Sequence, residues 1–320
     1  MTDIHLLHAL RDKLGSVIVG QEKLLDHLVI ALLAGGHVLL EGPPGLAKTT
    51  VVHALATGID ARFQRIQFTP DLMPGDLTGS DIYEPANSSF RFIKGPLFNE
   101  ILLADEINRA PPKVQSALLE AMAEHQITVG GTTRPLPDLF LVLATQNPLE
   151  QSGTYRLPEA QLDRFLFQII LDYPSLEEEI EISRRARKAY EGHVEEGLTA
   201  LLKPQELLSL RKQVNDVFIE EQLERFAIEL VVATRKLADY LPDWADMIQV
   251  GASPRASISL LRASMARALL HERDYVLPED IIALAADVLR HRLVLDFSAQ
   301  AEGISTDDII AALLNVIKAP

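Results

Sequence analysis

The sequence predicts a parallel α/β sheet domain followed by an all-helical one, on three observations. Its first half alternates short apolar runs with helical patterns, the signature of a sheet built through crossovers. A glycine-rich turn, GPPGLAKT from Gly42 to Thr49, follows the apolar run His37-Val38-Leu39-Leu40. Strand signals then nearly vanish after Tyr173-Pro174-Ser175, where Pro breaks the pattern and Ser175 can cap a new helix. The expected domains are residues 1–173 and 174–320.

The N-terminus, MTDIHLLHALRDKLG, reads as a short amphipathic helix rather than a signal peptide. Candidate strands are His37 to Glu41, Arg62 to Phe68, Ile101 to Asp105, Leu139 to Thr145 and Leu166 to Leu171. Helical periodicity covers Gln21 to Ala34, Lys48 to Gly58 and Pro112 to Glu124. Two insertions interrupt this half. In 68–95 a hairpin is expected, with Asp81 to Glu84 against Phe90 to Ile93. In 125–137, Gly130-Gly131 between Ile127-Thr128-Val129 and Thr132-Thr133-Arg134 is a two-residue hairpin signal. Beyond the boundary, Leu176 to Tyr190, Pro204 to Val217, Glu220 to Leu241, Ser257 to Arg273, Pro278 to Arg290 and Thr306 to Lys318 all carry apolar residues at helical period.

The glycine-rich turn carries chemistry as well as shape. Gly42 and Gly45 let the backbone curl so that successive N–H groups of Pro43-Pro44-Gly45-Leu46-Ala47 and its surroundings can face phosphate oxygens, Pro excepted. The helix that follows adds its positive end. Lys48 is expected to reach the β/γ-phosphates, Thr49 to coordinate Mg²⁺, and Thr50 to continue the cradle. The strict pattern has Gly directly before the Lys; here it is Ala47, a good helix former tolerated at an early helical position.

The second motif is ILLADE, Ile101 to Glu106. A helix cap with an acidic first turn is its plain structural alternative. The four apolar residues ahead of the carboxylates instead indicate a buried parallel strand, whose C-terminal end is where ligands bind in such sheets. Asp105 is then a Mg²⁺-associated carboxylate and Glu106 the group that polarises water. ATP and Mg²⁺ are the expected cofactors.

Composition narrows the remaining classes. With 45 Asp and Glu against 30 Lys and Arg, the net charge is −15, which repels nucleic acid and anionic membrane. Arg184, Arg185, Arg187 and Lys188 sit beside acidic runs and read as a solvated helix face. The longest uncharged apolar stretch, near Leu28 to Leu40, is interrupted by Gly35-Gly36 and is too short to span a bilayer, so no membrane insertion is expected. The chain has no Cys; a reducing, cytoplasmic location fits. Its His residues lack metal-ligand spacing, and the sequon Asn87-Ser88-Ser89 is discounted without a secretory signal.

Further blocks follow in order: DEINRAPPKVQSALLEAM from Asp105, ATQNP from Ala144, LPEAQLDRF from Leu157 and GASPRA from Gly251. This series resembles the MoxR family of AAA+ ATPases from about Val19-Gly20-Gln21 to Arg255, with Pro43 as a small departure in the loop. The resemblance implies a P-loop (AAA+) α/β core and a helical lid. It implies that Asn147 is the first sensor, orienting the attacking water. It makes Arg164 an arginine finger given to a neighbouring subunit's nucleotide, and Arg255 the second sensor. Val19 and Gly20 would line the adenine pocket, and Asn108 and Arg109 would approach the subunit interface. For Asn147 an Asn in a turn before Pro148, and for Arg164 a salt bridge with Asp163, remain the structural alternatives.

The resulting expectation is Mg-dependent ATP hydrolysis by a homo-oligomeric ring, hexameric by resemblance. This ring remodels or chaperones a protein client. The resemblance further implies assembly or cofactor and metal insertion, often with a von Willebrand factor A domain partner. The alternatives are a nucleic-acid motor of the helicase type, disfavoured by the charge, a magnesium-chelatase-type subunit, and a nucleotide-gated scaffold, disfavoured by the intact Glu106.

Overall fold

The structure is a computed structural model that describes residues 4–43, 45–46, 48–86, 88–147, 154–190 and 199–320, with backbone alone at 188–190. In chain order the elements are α1 (Ile4–Val17), α2 (Glu22–Ala34), β1 (His37–Glu41), α3 (Lys48–Gly58), β2 (Phe63–Gln67), α4 (Pro74–Thr78), β3 (Gly79–Glu84), β4 (Ser89–Lys94), β5 (Ile101–Asp105), α5 (Pro112–Glu124), β6 (Gln126–Val129), β7 (Thr132–Pro135) and β8 (Leu141–Gln146). There follow α6 (Glu159–Leu162), β9 (Phe165–Ile170), α7 (Leu176–Tyr190), α8 (Pro204–Val214), α9 (Glu221–Ala233), α10 (Leu237–Tyr240), β10 (Ile248–Val250), α11 (Pro254–Leu270), α12 (Pro278–Leu289), β11 (Val294–Leu295), α13 (Phe297–Glu302) and α14 (Thr306–Val316).

A five-stranded sheet runs in the order β2-β5-β8-β1-β9. The apolar runs of β1, β5 and β8 are buried because strands between crossover helices are covered on both faces. β2 lies at an edge, and its sequence FQRIQ buries only Ile66. Register aligns the strand ends. Gln67 sits opposite Asp105, Ala104 opposite Ala144, and Glu41 opposite Gln146. The residues that follow these positions therefore emerge at one edge of the sheet.

Both expected hairpins are present, β3 with β4 (Asp81 opposite Phe92) and β6 with β7 (Val129 opposite Thr132). Gly130 and Gly131 take the positive φ that this tight turn needs. The Arg134 guanidinium lies 3.8 Å from the Phe92 ring centroid, tying one hairpin to the other.

Close contacts group the chain into two compact units that alternate along the sequence. One comprises Met1–Val29, His37–Leu157 and Ile169–Leu208; the other comprises Ile30–Gly36, Pro158–Gln168 and Ser209–Pro320. In the second unit α11 packs on α9 and α12, and α12 packs on α14. Their buried faces include Phe226, Leu230, Leu260, Ala263, Ile281, Leu284 and Leu313, the periodic positions of the sequence. Ser253 caps α11, with Pro254 at its first position, and a Ser305–Asp308 capping box starts α14.

Several bounds differ from the sequence reading: the helix expected over Ser257 to Arg273 runs from Pro254 to Leu270, and α4, α6 and α13 are added. The helix expected over Glu220 to Leu241 stops at Ala233, where Thr234 Oγ1 donates to Val231 O (2.7 Å) and accepts from Ala252 N (3.0 Å). It resumes as the single turn α10, because a hydroxyl competing for backbone partners breaks the ladder. Beside its helices this unit also carries the short antiparallel pair β10–β11.

Candidate active site

The loop after β1 leads directly into α3, which begins at Lys48. Gly42 is required by a close approach, since a Cβ there would stand 2.6 Å from Leu171 O. Gly45 adopts φ +87°, which favours glycine. The loop borders a pocket of about 430 Å³ lined by Gly42, Gly45, Leu46, Lys48, Thr49, Thr50, Arg65, Gln67, Asp105, Glu106, Thr145, Gln146 and Asn147. Every lining residue belongs to the first unit. Pro44 and Ala47 lie outside the described residues, as do Pro148 and Asn87.

One hydroxyl ties the Asp105 carboxylate to the Glu106 backbone. Thr145, on β8 beside β5, donates from Oγ1 to Asp105 Oδ1 (2.6 Å) and accepts from the Glu106 N–H (2.8 Å). Asp105 Oδ2 also accepts from Arg65 Nη2 (2.6 Å) and Nε (3.1 Å). Glu106 Oε2 accepts from Gln67 Nε2 (2.6 Å) and Arg109 Nη1 (2.9 Å). Glu106 itself is held at φ 57°, ψ 51°, a left-handed conformation uncommon for a residue with a side chain. Buried Gln115 supports the turn behind it, donating to Ile107 O (3.2 Å) and Tyr155 O (3.1 Å).

Lys48 Nζ donates to Gly42 O (2.7 Å). Burial holds the ammonium pKa below the usual lysine range, against the opposing pull of Asp105, Glu41 and Glu106. A bound polyanion would favour the charged form.

The donor set fits Mg²⁺ bound with a nucleotide. Thr49 and Asp105 offer hard oxygens to the same pocket. Among the described residues no group of three or more His, Asp or Glu forms a cation cage. Mg²⁺ is typically held by one or two protein oxygens together with phosphates, and Thr49 and Asp105 could supply two such oxygens.

Arg164 and Arg255 belong to the second unit. The ion pairs of Asp163 run to Arg292 (2.8 Å) and Arg255 (3.7 Å). Val19 and Gly20 lie between α1 and α2 and are not among the pocket lining; Gly20 approaches the Glu178 side chain.

Residues 37–167 match the model of the ATPase family associated with various cellular activities (AAA), and residues 244–313 match an AAA lid domain. The chain is 44% identical to Chaperone MoxR1 of Mycobacterium tuberculosis, over 99% of this chain and 83% of that protein. It is 31% identical to the protein MoxR of Methylorubrum extorquens, over 96% and 93%. The chain belongs to the MoxR family of AAA+ ATPases. YeaC of Bacillus subtilis is also 44% identical over 99% of this chain and 96% of its own length. A candidate ATPase from Cytophaga hutchinsonii, seen in a crystal structure, has a TM-score of 0.92 and 48% identity, covering 99% of this chain and 96% of that one.

As a MoxR-family member the protein is a nucleotide-binding ATPase with a parallel-sheet AAA core and a helical lid. The pocket gathers Gly42, Gly45, Leu46, Lys48, Thr49, Thr50, Asp105, Glu106 and Asn147; Pro43 is half-buried in the same loop. The pocket also gathers Arg65, Gln67, Thr145 and Gln146, which no motif of the sequence marks as site residues. A signal existed for the first two: Arg65 and Gln67 are polar residues in an otherwise strand-like run. Thr145 carried one as well, within the block ATQNP.

Proposed function

We propose that the chain hydrolyses ATP with Mg²⁺ in a homo-oligomeric, hexameric ring and uses the energy to remodel or chaperone a protein client. The observation that carries this is the single pocket shared by Lys48, Thr49, Asp105, Glu106 and Asn147, with Thr145 fastening both carboxylate residues. Thr49 and Asp105 would hold Mg²⁺, which would neutralise charge on the phosphates. The N–H groups from Gly42 to Thr50, with Pro43 and Pro44 excepted, together with Lys48, bind the phosphate oxygens. Glu106 accepts a proton from the attacking water, and Asn147 orients that water. Arg164, given to a neighbouring subunit, and Arg255 offset charge developing on the transferred phosphoryl. Val19 and Gly20 contact adenine.

The client assignment rests on the name of the M. tuberculosis relative, a chaperone, and on the net charge of −15, which favours a protein over nucleic acid. We propose a partner with a von Willebrand factor A domain, a role in assembly or in cofactor and metal insertion, a cytoplasmic location, and a domain boundary at 173/174. Among the described residues no helix is long and apolar enough to cross a membrane.

Replacing Glu106 by Gln tests the chemistry. Turnover is expected to fall by about 10²–10⁴-fold while nucleotide affinity, read by fluorescence titration, is kept. Undiminished turnover in Glu106→Gln would remove the hydrolytic assignment.

A further inference from the structure

The second unit contains a buried arginine that the reaction scheme does not use. Arg292 is 6% exposed, and its guanidinium is spent on one short stretch of chain and its surroundings. Nε donates to Asp163 Oδ1 (2.8 Å). Nη2 donates to Phe165 O (2.7 Å), Asp163 O (3.3 Å) and Ser259 Oγ (3.1 Å). Nη1 donates to Val288 O and to Leu166 O (3.4 Å). The two carbonyls taken by Nη2 belong to the residues on either side of Arg164. The backbone that bears Arg164 is therefore gripped at both flanks.

The other oxygen of Asp163 reaches elsewhere. Asp163 Oδ2 accepts from Ser253 Oγ (2.9 Å) and lies 3.7 Å from Arg255 Nη1. The same Ser253 hydroxyl oxygen accepts the N–H of Arg255 (3.1 Å) as the cap of α11. A continuous path thus runs from the backbone of Arg255 through one hydroxyl and one carboxylate to Arg292, and from there to the carbonyls flanking Arg164. Its members lie 129 and 90 residues from Asp163 in sequence. Charge-assisted bonds of this kind are short and directional, and a desolvated arginine does not leave its acceptors easily. Burial, with the nearby Arg255, pushes the Arg292 pKa down, and the Asp163 carboxylate opposes this only in part. Arg255 is held differently. Its side chain is 59% exposed and its contact with Asp163 is loose, so its head can leave for a phosphate while its backbone stays fixed.

We propose that Asp163, clamped by Arg292, is a positioning residue that locks Arg164 and Arg255 into one rigid element, so that the finger given to a neighbour's nucleotide and the second sensor keep a fixed relation to each other. The inference rests on the roles proposed above for those arginines. A bland structural alternative is a buried ion pair that stabilises the fold and nothing more. The two differ in what they couple.

The experiment is a mutant cycle on the full chain, with kcat and KM for ATP hydrolysis and hydrogen exchange of residues 158–168 as readouts. Asp163→Asn keeps size and removes charge. It is expected to lower kcat about ten- to a hundredfold, as small misplacements do, with KM little changed and with faster exchange around Arg164. Combined with Arg164→Ala or Arg255→Ala it should add less than about twofold, because residues acting as a unit are not additive. Ser253→Ala, which removes only the bridging hydroxyl, should move kcat the same way, and Ser253→Thr should restore it; this pair decides the matter if Asp163→Asn fails to fold. Additive losses, or exchange and kcat unmoved in Ser253→Ala, overturn the proposal. If Arg164→Ala and Arg255→Ala themselves turn over like the unaltered chain, the roles of the arginines fall and the proposal falls with them, a result distinct from additivity.

Discussion

At the scale of single residues, Thr145 has the most leverage for its size. It is 2% exposed and serves two charged or polar groups at once. Thr145→Val keeps the shape but leaves an Asp105 oxygen and the Glu106 N–H without this partner. A buried group deprived of its partner costs about 1–3 kcal/mol. That N–H also belongs to a residue in a left-handed backbone conformation, which persists only where its surroundings hold it. Thermal unfolding should therefore shift down in Thr145→Val and much less in Thr145→Ser, and a Mg²⁺ titration of turnover should require more cation in the Val variant. Equal behaviour of Val and Ser would show that the hydroxyl does not hold the Asp105 carboxylate and the Glu106 backbone in place. Arg65 adds a further influence, since its guanidinium shares Asp105 Oδ2 and touches Gln67 Oε1 (2.9 Å).

At the scale of elements, the helices of the second unit enclose charges that must stay paired. Asp280, fully buried, receives Arg267, Arg273 (2.7 Å) and the Leu277 N–H (2.8 Å). These contacts hold its pKa below the usual range despite burial, so the stability it contributes is present above about pH 4 and lost as acid protonates it. His291 works in the same direction for a different reason. It is buried with Nε2 3.0 Å from Phe165 O, and desolvation together with Arg292 pushes its pKa well below the ordinary value. The unfolded chain takes up a proton near pH 6.5 while the folded chain does not, so stability is expected to fall as pH drops below about 6.5. Urea unfolding at pH 7 and pH 5 measures this. His291→Gln, which cannot titrate, should show a shallower pH dependence over that interval, and an unchanged slope would assign the effect to other groups.

At the scale of the whole molecule, a finger supplied by a neighbour makes catalysis depend on assembly. The proposed ring predicts that ATPase rate per subunit rises with protein concentration as subunits associate. Arg164→Ala should stay slow at every concentration, by about 10³–10⁵-fold, while sedimentation shows normal assembly. A rate independent of concentration and indifferent to Arg164 would mean that each subunit hydrolyses alone. The charge of −15 belongs at this scale too, because it governs which partners approach rather than how the chain folds.

Much of this protein was legible in its residues. The runs His37 to Glu41 and Ile101 to Asp105 became β1 and β5 with those bounds, and the helix over Lys48 to Gly58 became α3. Local chemistry decides such elements: apolar runs that suit covered strands, glycines that permit a tight loop, and periodicity that suits one helical face. The motifs likewise indicated a phosphate-binding loop beside a pair of carboxylates. What only the tertiary structure decided is which distant residues meet. Sheet neighbours are not sequence neighbours in the order β2-β5-β8-β1-β9, so Thr145 comes to bridge Asp105 and Glu106, and Arg65 and Gln67 come to face them, through crossovers no local pattern encodes. The grip of Arg292 on Asp163 has the same origin. Its partners are joined by burial in a shared core, and the strength of a buried charge's contacts depends on that enclosure rather than on sequence distance.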